Sequence, residues 1–136
     1  MPYNIAWYVE KHVVYVRYWD KLTAQEFSEY LQKVEREYLD HGHSALVHII
    51  VDTAEATSLP TLQQLASGIG KEIHPKSGWM VTLGDIHPTT KWIGEFASRL
   101  FKFRYRNFRT MPEAVTFLKE MDPTIDWSQA DESVVR

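Results

Sequence analysis

Asp52 closes a run of apolar residues, "ALVHIIV" (45–51), and is followed by Thr53, Glu55, Thr57, Ser58 and Thr61. Acids and hydroxyls at this density could hold a cation, share a proton or accept a phosphate. Asp85 ends a second apolar segment, "GWMVTLGD" (78–85). If both segments are parallel strands, the two carboxylates share the edge where open α/β sheets place their sites. A plainer reading asks for less. Strand-end aspartates also cap loops, and Ser58 caps a helix whose first turn is set by Pro60 and favoured by the acids before it.

Other chemistries fail on spacing. "ASGIGKE" (66–72) has the glycines of a phosphate loop, but Glu72 stands where Ser or Thr must follow Lys71. Neither a Gly-x-Ser-x-Gly elbow nor a Ser-x-x-Lys set occurs. Asp40, His41 and His43 gather in "DHGH", with His48 further on, but no four-ligand pattern and no His pair at i, i+4 accompanies them. No metal and no cofactor is expected. The segment "RLFKFRYRNFR" sets Arg99, Lys102, Arg104, Arg106 and Arg109 among aromatics without an acid. Such a stripe could grip an anion. Alternation offers a second account, with Phe103, Tyr105 and Phe108 inward and the cations in water. The RRM signature is missing, so an anionic protein surface is a better partner than nucleic acid.

The elements that position these groups follow from periodicity. Tyr3, Ile5, Trp7 and Val9 alternate, as do Val14, Val16 and Tyr18, with Glu10 and Lys11 between the runs as a tight hairpin turn. Thr23 and Glu26 are spaced as a capping box, and Phe27, Tyr30, Leu31, Val34 and Tyr38 mark one helical face that Gly42 ends. "ALVHIIV" and "GWMVTLGD" are buried strands. Helices are expected near 59–72 and 89–102, a short strand at "FRYRNF", and a last helix at "TMPEAVTFLKEM" with Thr110–Glu113 as its box. The order β-β-α-β-α-β-α-β-α predicts one α/β domain whose mixed sheet is parallel beyond the hairpin.

The chain has 136 residues, no Cys and a net charge of −3. That length supports one self-sufficient core, and the lack of Cys removes disulfides, thiolate nucleophiles and Cys-based zinc sites. Four of the 18 acids and one of the 15 Lys/Arg lie in residues 122–136, leaving 14 of each sign in residues 1–121. The acidic end, opening on Asp-Pro, reads as an extended appendage to a domain of residues 1–121. No apolar run is long enough to span a membrane, and the charged N-terminus does not suit a signal peptide, so the expected location is the cytoplasm.

Leu22-Thr23 in "LTAQEF", Asp52 closing "VHIIVD", "WMVTLGD", and Phe108, Glu113, Ala114 and Leu118 in "FRYRNFRTMPEAVTFL" together resemble the SpoIIAA-like branch of the STAS fold. The resemblance covers nearly all of residues 1–121 and implies a non-enzymatic regulatory fold. Relatives of that kind include anti-sigma-factor antagonists, which dock on a kinase and are switched by phosphorylation of a Ser at the start of the second helix. That position usually reads Asp-Ser. Here it reads "ATSLPTL", with Thr57, Ser58 and Thr61 as the hydroxyls.

The resulting expectation is a regulatory, protein-binding domain, monomeric or homodimeric, that uses the 52–61 loop and the helix after it. Asp52, Glu55, Asp85, Trp79 and Trp92 are the candidate contact residues, and Thr57, Ser58 and Thr61 the candidate switch. The alternative is a binding module for an apolar or lipid-like molecule beside Trp79 and Trp92.

Overall fold

The alternation of the opening residues builds an antiparallel hairpin from β1 (Tyr3–Val9) and β2 (Val13–Asp20) in this computed structural model, which describes residues 3–20, 24–41, 46–56, 76–84, 99 and 104–135. The turn is one residue longer than Glu10–Lys11. The His12 N–H donates to Val9 O at 2.9 Å, and Lys11 takes a φ of 69°. A left-handed residue is what a three-residue hairpin loop requires, although Gly or Asn more often supplies it.

Trp7 pairs with Val14 but Val9 with Val13, so Tyr8 is the extra residue of a β-bulge. Strict alternation predicts Val9 on the same face as Tyr3, Ile5 and Trp7. The bulge overturns this: Val9 and Tyr8 turn to the opposite face.

Beyond the hairpin the sheet is parallel, as the strand–helix pattern predicts. β3 (Val47–Ala56), β4 (Ser77–Leu83) and β5 (Arg104–Phe108) extend it in the order β1-β2-β3-β4-β5. β2 and β3 are covered on both faces, which is why their sequences are nearly continuous in apolar residues. Val14, Val16, Val47, Ile49 and Val51 fill one layer; Val13, Tyr15, Ile50 and Val81 fill the other. Each such side chain contributes about 1.5–3 kcal/mol by leaving water.

Helix α1 (Ala24–Glu37) closes the first layer with Val34, and the 3-10 turn after it adds Leu39. Tyr38 locks the layer at its rim. Its hydroxyl donates to Ile5 O at 3.0 Å, and its ring meets Trp7 edge-on at 5.0 Å. Helix α2 (Met111–Met121) covers the second layer with Ala114, Phe117 and Leu118. Thr110 caps it, accepting the Glu113 N–H at 3.4 Å, while its hydroxyl donates to the Glu113 carboxylate at 2.9 Å. Pro112 sits in the first turn, where its missing N–H costs nothing.

The segment after α2 corrects the sequence reading. Residues 122–135 do not extend away from the domain; they lie along the second layer. Ile125 is buried, and Trp127, Ala130, Val134 and Val135 pack beside it. Five apolar side chains spread through an acidic stretch are enough to hold it down. The helices expected at 59–72 and 89–102, Thr23 and Gly42 lie outside the described residues, apart from Arg99.

Candidate functional site

Four parallel strands bring their carboxyl ends to one edge of the sheet. Arg17 pairs with Asp52 across β2 and β3, and then the register slips, so that Thr53 and Ala54 together oppose Tyr18, and Trp19 meets Glu55. This second bulge gives the edge its rim. The Arg17 guanidinium lies 3.9 Å from the Glu55 carboxylate and 5.0 Å from the centre of the Trp19 ring. Arg17 and Glu55 are 34% and 50% exposed, so water screens the ion pair and its contribution is small. The stacked Arg–Trp pair is more notable, because those two residue types dominate the energetics of protein contacts. Asp20, with a φ of 57°, follows at the same edge and is exposed.

Beneath the rim the strand ends are tied together. The Thr53 hydroxyl donates to Leu83 O at 2.6 Å, and the Gly84 N–H donates to Phe108 O at 3.0 Å. Gly84 has a φ of 118°, which a side chain would resist.

Asp52 is not part of the rim. It is 4% exposed and accepts the Tyr15 hydroxyl at 2.5 Å. The period of β3 explains this, since His48, Ile50 and Asp52 share the face that α2 covers. Asp52 therefore belongs to the interior and not to a contact surface. Asp85, which would have to join it in a paired-carboxylate site, lies outside the described residues, as do Thr57, Ser58, Thr61, Trp92 and Lys102. Glu55 is exposed at the end of β3.

Trp79 is committed to the core as well. Its ring meets Phe117 edge-on at 4.9 Å and packs against the second layer. A cleft of about 350 Å³ lies at the other edge of the sheet, between the β1–β2 turn (Glu10, Lys11, His12) and Asp126 and Gln129.

Arg99, Arg104, Arg106 and Arg109 are exposed, as a cationic stripe requires. The alternation along β5 differs from the one expected. Arg106 stacks over the Phe117 ring at 5.2 Å, on the side where Phe108 also packs. Tyr105 faces the other way and shares a 3.1 Å hydrogen bond with the Thr82 hydroxyl. Arg104 reaches Ser77 O at 3.4 Å.

A buried polar cluster around His48 was not legible as such in the sequence. His48 is 1% exposed. Its Nδ1 accepts the Trp79 N–H at 2.9 Å, so the ring proton is on Nε2, which lies 2.9 Å from Asp122 Oδ2 and donates to it. Room for the ring comes from Gly78: a Cβ there would stand 2.4 Å from Nδ1. Burial pushes the His48 pKa down, with Arg104 and His12 adding to the effect, and Asp122 only partly opposes it. Asp122 itself is disfavoured as an anion by burial. Hydrogen bonds from Thr124 and His48 outweigh this and hold its carboxyl below the usual range.

One sequence signal does point to the docked segment. Asp122-x-Thr124, Asp126-x-Ser128 and Asp131-x-Ser133 repeat one pattern. In each, the aspartate accepts both the amide and the hydroxyl of the residue two positions on. The Asp131 N–H then donates to Tyr8 O at 2.7 Å, and the Tyr8 hydroxyl donates to Glu132 at 2.6 Å. Burial, followed by that acceptor, raises the Tyr8 pKa.

Among the described residues, no three His, Asp or Glu side chains converge as metal ligands, and no helix is long and apolar enough to cross a membrane. Asp40 and His41 are exposed on a 3-10 turn, His48 is taken by Asp122, and His43 lies outside the described residues.

A five-stranded mixed sheet, opened by a hairpin and continued by parallel strands with helices on both faces, is a SpoIIAA-like fold. The solved structure of an uncharacterized protein of the DUF3478 family from Shewanella loihica PV-4, itself SpoIIAA-like, matches with a TM-score of 0.60 at 15% identity. The match covers 85% of this chain and 93% of that one. No family model matches the sequence, and no curated protein does.

Proposed function

We propose that this SpoIIAA-like domain is a non-catalytic regulatory module of the cytoplasm that docks a protein partner at the carboxyl edge of its sheet. The docking region is the exposed end of β3 at Glu55, which is strand to Ala56 and not the loop expected from residue 52, with residues 57–61 and the helix expected after them. The observation that supports this most is the rim of Arg17, Trp19 and Glu55. An arginine stacked on a partly exposed tryptophan, flanked by a carboxylate, offers a preformed contact at small ordering cost. Asp52, the residue best placed for acid–base chemistry there, is enclosed and bonded to Tyr15. Thr57, Ser58 and Thr61 come within six residues after Glu55 in the sequence, and a phosphate on any of them would add roughly −2 charge to the proposed docking region.

Affinity capture from the source cell tests the reading, using the full chain and its Trp19→Ala and Glu55→Arg variants. The expected result is one discrete protein partner that wild type retains and both folded variants lose by about tenfold or more, a loss of ~1.4 kcal/mol. Equal capture by all three chains would remove the rim from the interface. Phosphopeptide mapping of the native protein tests the switch separately, with modification expected on Thr57, Ser58 or Thr61.

A further inference from the structure

We propose that His48 is a proton-sensitive clasp: a second proton on its imidazole opens its contacts with β4 and with the C-terminal segment together. The geometry leaves no neutral way to charge the ring. Nδ1 faces the N–H of Trp79 at 2.9 Å, and that donor is fixed in the backbone of β4. A proton on Nδ1 would set two donors against each other.

The ring has no space to turn away where it lies. Gly78 packs so closely that an added Cβ would stand 2.4 Å from Nδ1 and 2.8 Å from Cε1. This is also where the β3–β4 register slips, Val47 pairing with Ser77 but Ile49 with Met80, so the imidazole replaces a ladder partner within a bulge. The more open side is that of Asp122, whose side chain is 14% exposed against 1% for His48. An imidazolium moving toward water must therefore displace Asp122, and Asp122 begins the docked segment.

The charges around His48 determine the sign. Asp122, at the end of α2, favours the charged ring; Arg104 on β5 and His12 in the hairpin turn oppose it, and burial opposes it most. The opened form thus takes up a proton more readily than the closed one. Acid shifts the balance toward opening, beginning as pH falls below the ordinary histidine value of about 6.5.

NMR titration of the full chain from about pH 7.5 to about pH 4.5, spanning the histidine range, tests the clasp. The His48 ring signals and the amides of Trp79 and Asp131 should move with one shared midpoint, while the amides of Val14 and Val16 in the core hold their positions. Asp122→Asn keeps an oxygen for Nε2–H but offers the neutral ring a weaker, uncharged acceptor, so it loosens the closed form and should raise that shared midpoint. The proposal is overturned if His48 titrates while the Asp131 amide stays still, or if the segment moves at a midpoint of its own. It is equally overturned if the imidazole stays neutral to the acid end, if the core amides move with the rest, or if the Asn variant leaves or lowers the midpoint. Should that variant fail to fold, the wild-type titration decides alone.

Discussion

Tyr15 on β2 gives its hydroxyl hydrogen to Asp52 on β3 across 2.5 Å, with Tyr15 2% and Asp52 4% exposed. A buried carboxylate loses much more than one ordinary hydrogen bond when a donor is taken from it, because water cannot replace the donor. Tyr15→Phe keeps the ring and removes the bond, and should cost about 1–3 kcal/mol. Urea unfolding measures it. Asp52→Asn retains an acceptor oxygen but no charge, so adding Tyr15→Phe to that variant should cost less than adding it to wild type. Additive losses would mean that the two groups are not coupled.

Gly78 gives a second test of the interior. Gly78→Ala places a methyl against the His48 ring and the Val47 carbonyl, and both are held in β3. Overpacking of this kind costs about 1–3 kcal/mol. In a His48→Ala background the ring is gone and the same change should cost distinctly less. Thermal or urea denaturation of the four chains of this cycle settles it; an undiminished cost would place the strain in the backbone rather than in the ring.

How much of this could be read in advance depends on the distance over which each feature is encoded. The hairpin, β3, β4, β5 and α2 follow from periods and caps a few residues long, and the Thr110–Glu113 cap forms at the predicted pair. The side on which Val9 lies was not readable, because one inserted residue, Tyr8, reverses the parity and nothing in "WYVEK" marks the insertion. His48 and Asp122 are 74 residues apart, so no local pattern could join them. The C-terminal segment fails for a different reason. Its acids suggested a solvated tail, yet Asp122, Asp126 and Asp131 each fold the backbone locally and so point the intervening apolar residues inward. The strand before Asp52 was legible, but not its end: β3 runs on to Ala56, so Asp52 lies within the strand, and its burial depends on α2 covering the face.

Those aspartates predict a pH response in the segment itself. The hydroxyl and amide of Ser128 hold the Asp126 carboxyl below its ordinary value, and those of Ser133 do the same for Asp131. A lowered acid contributes fully above its unfolded value, about 3.9, and its contribution is lost as pH falls through the lower folded value. The turns at Ser128 and Ser133 should therefore persist at pH 5 and melt only at more acidic values, below about 3.9. Amide chemical shifts of Ser128 and Ser133 follow this directly. Asp131→Ala should abolish the response at Ser133 and leave that at Ser128, whereas loss at both would tie the two turns into one unit.

The strength of the docking rests on Ile125 and Trp127, and they should behave differently. Ile125 is 6% exposed within the layer shared with α2, so Ile125→Ala leaves a cavity and should cost about 2–5 kcal/mol. Trp127 lies against Tyr8, ring centres 6.3 Å apart, but its indole Nε1 is buried with no hydrogen-bond partner among the described residues. That N–H lost water on docking and gained nothing in return. Trp127→Phe keeps an aromatic surface while removing the unpaired donor, so it should cost much less than Ile125→Ala despite the larger side chain being cut. Urea denaturation curves of the two variants give the order. A small loss for Ile125→Ala, within about 0.5 kcal/mol of wild type as at an exposed site, would make the segment an appendage after all.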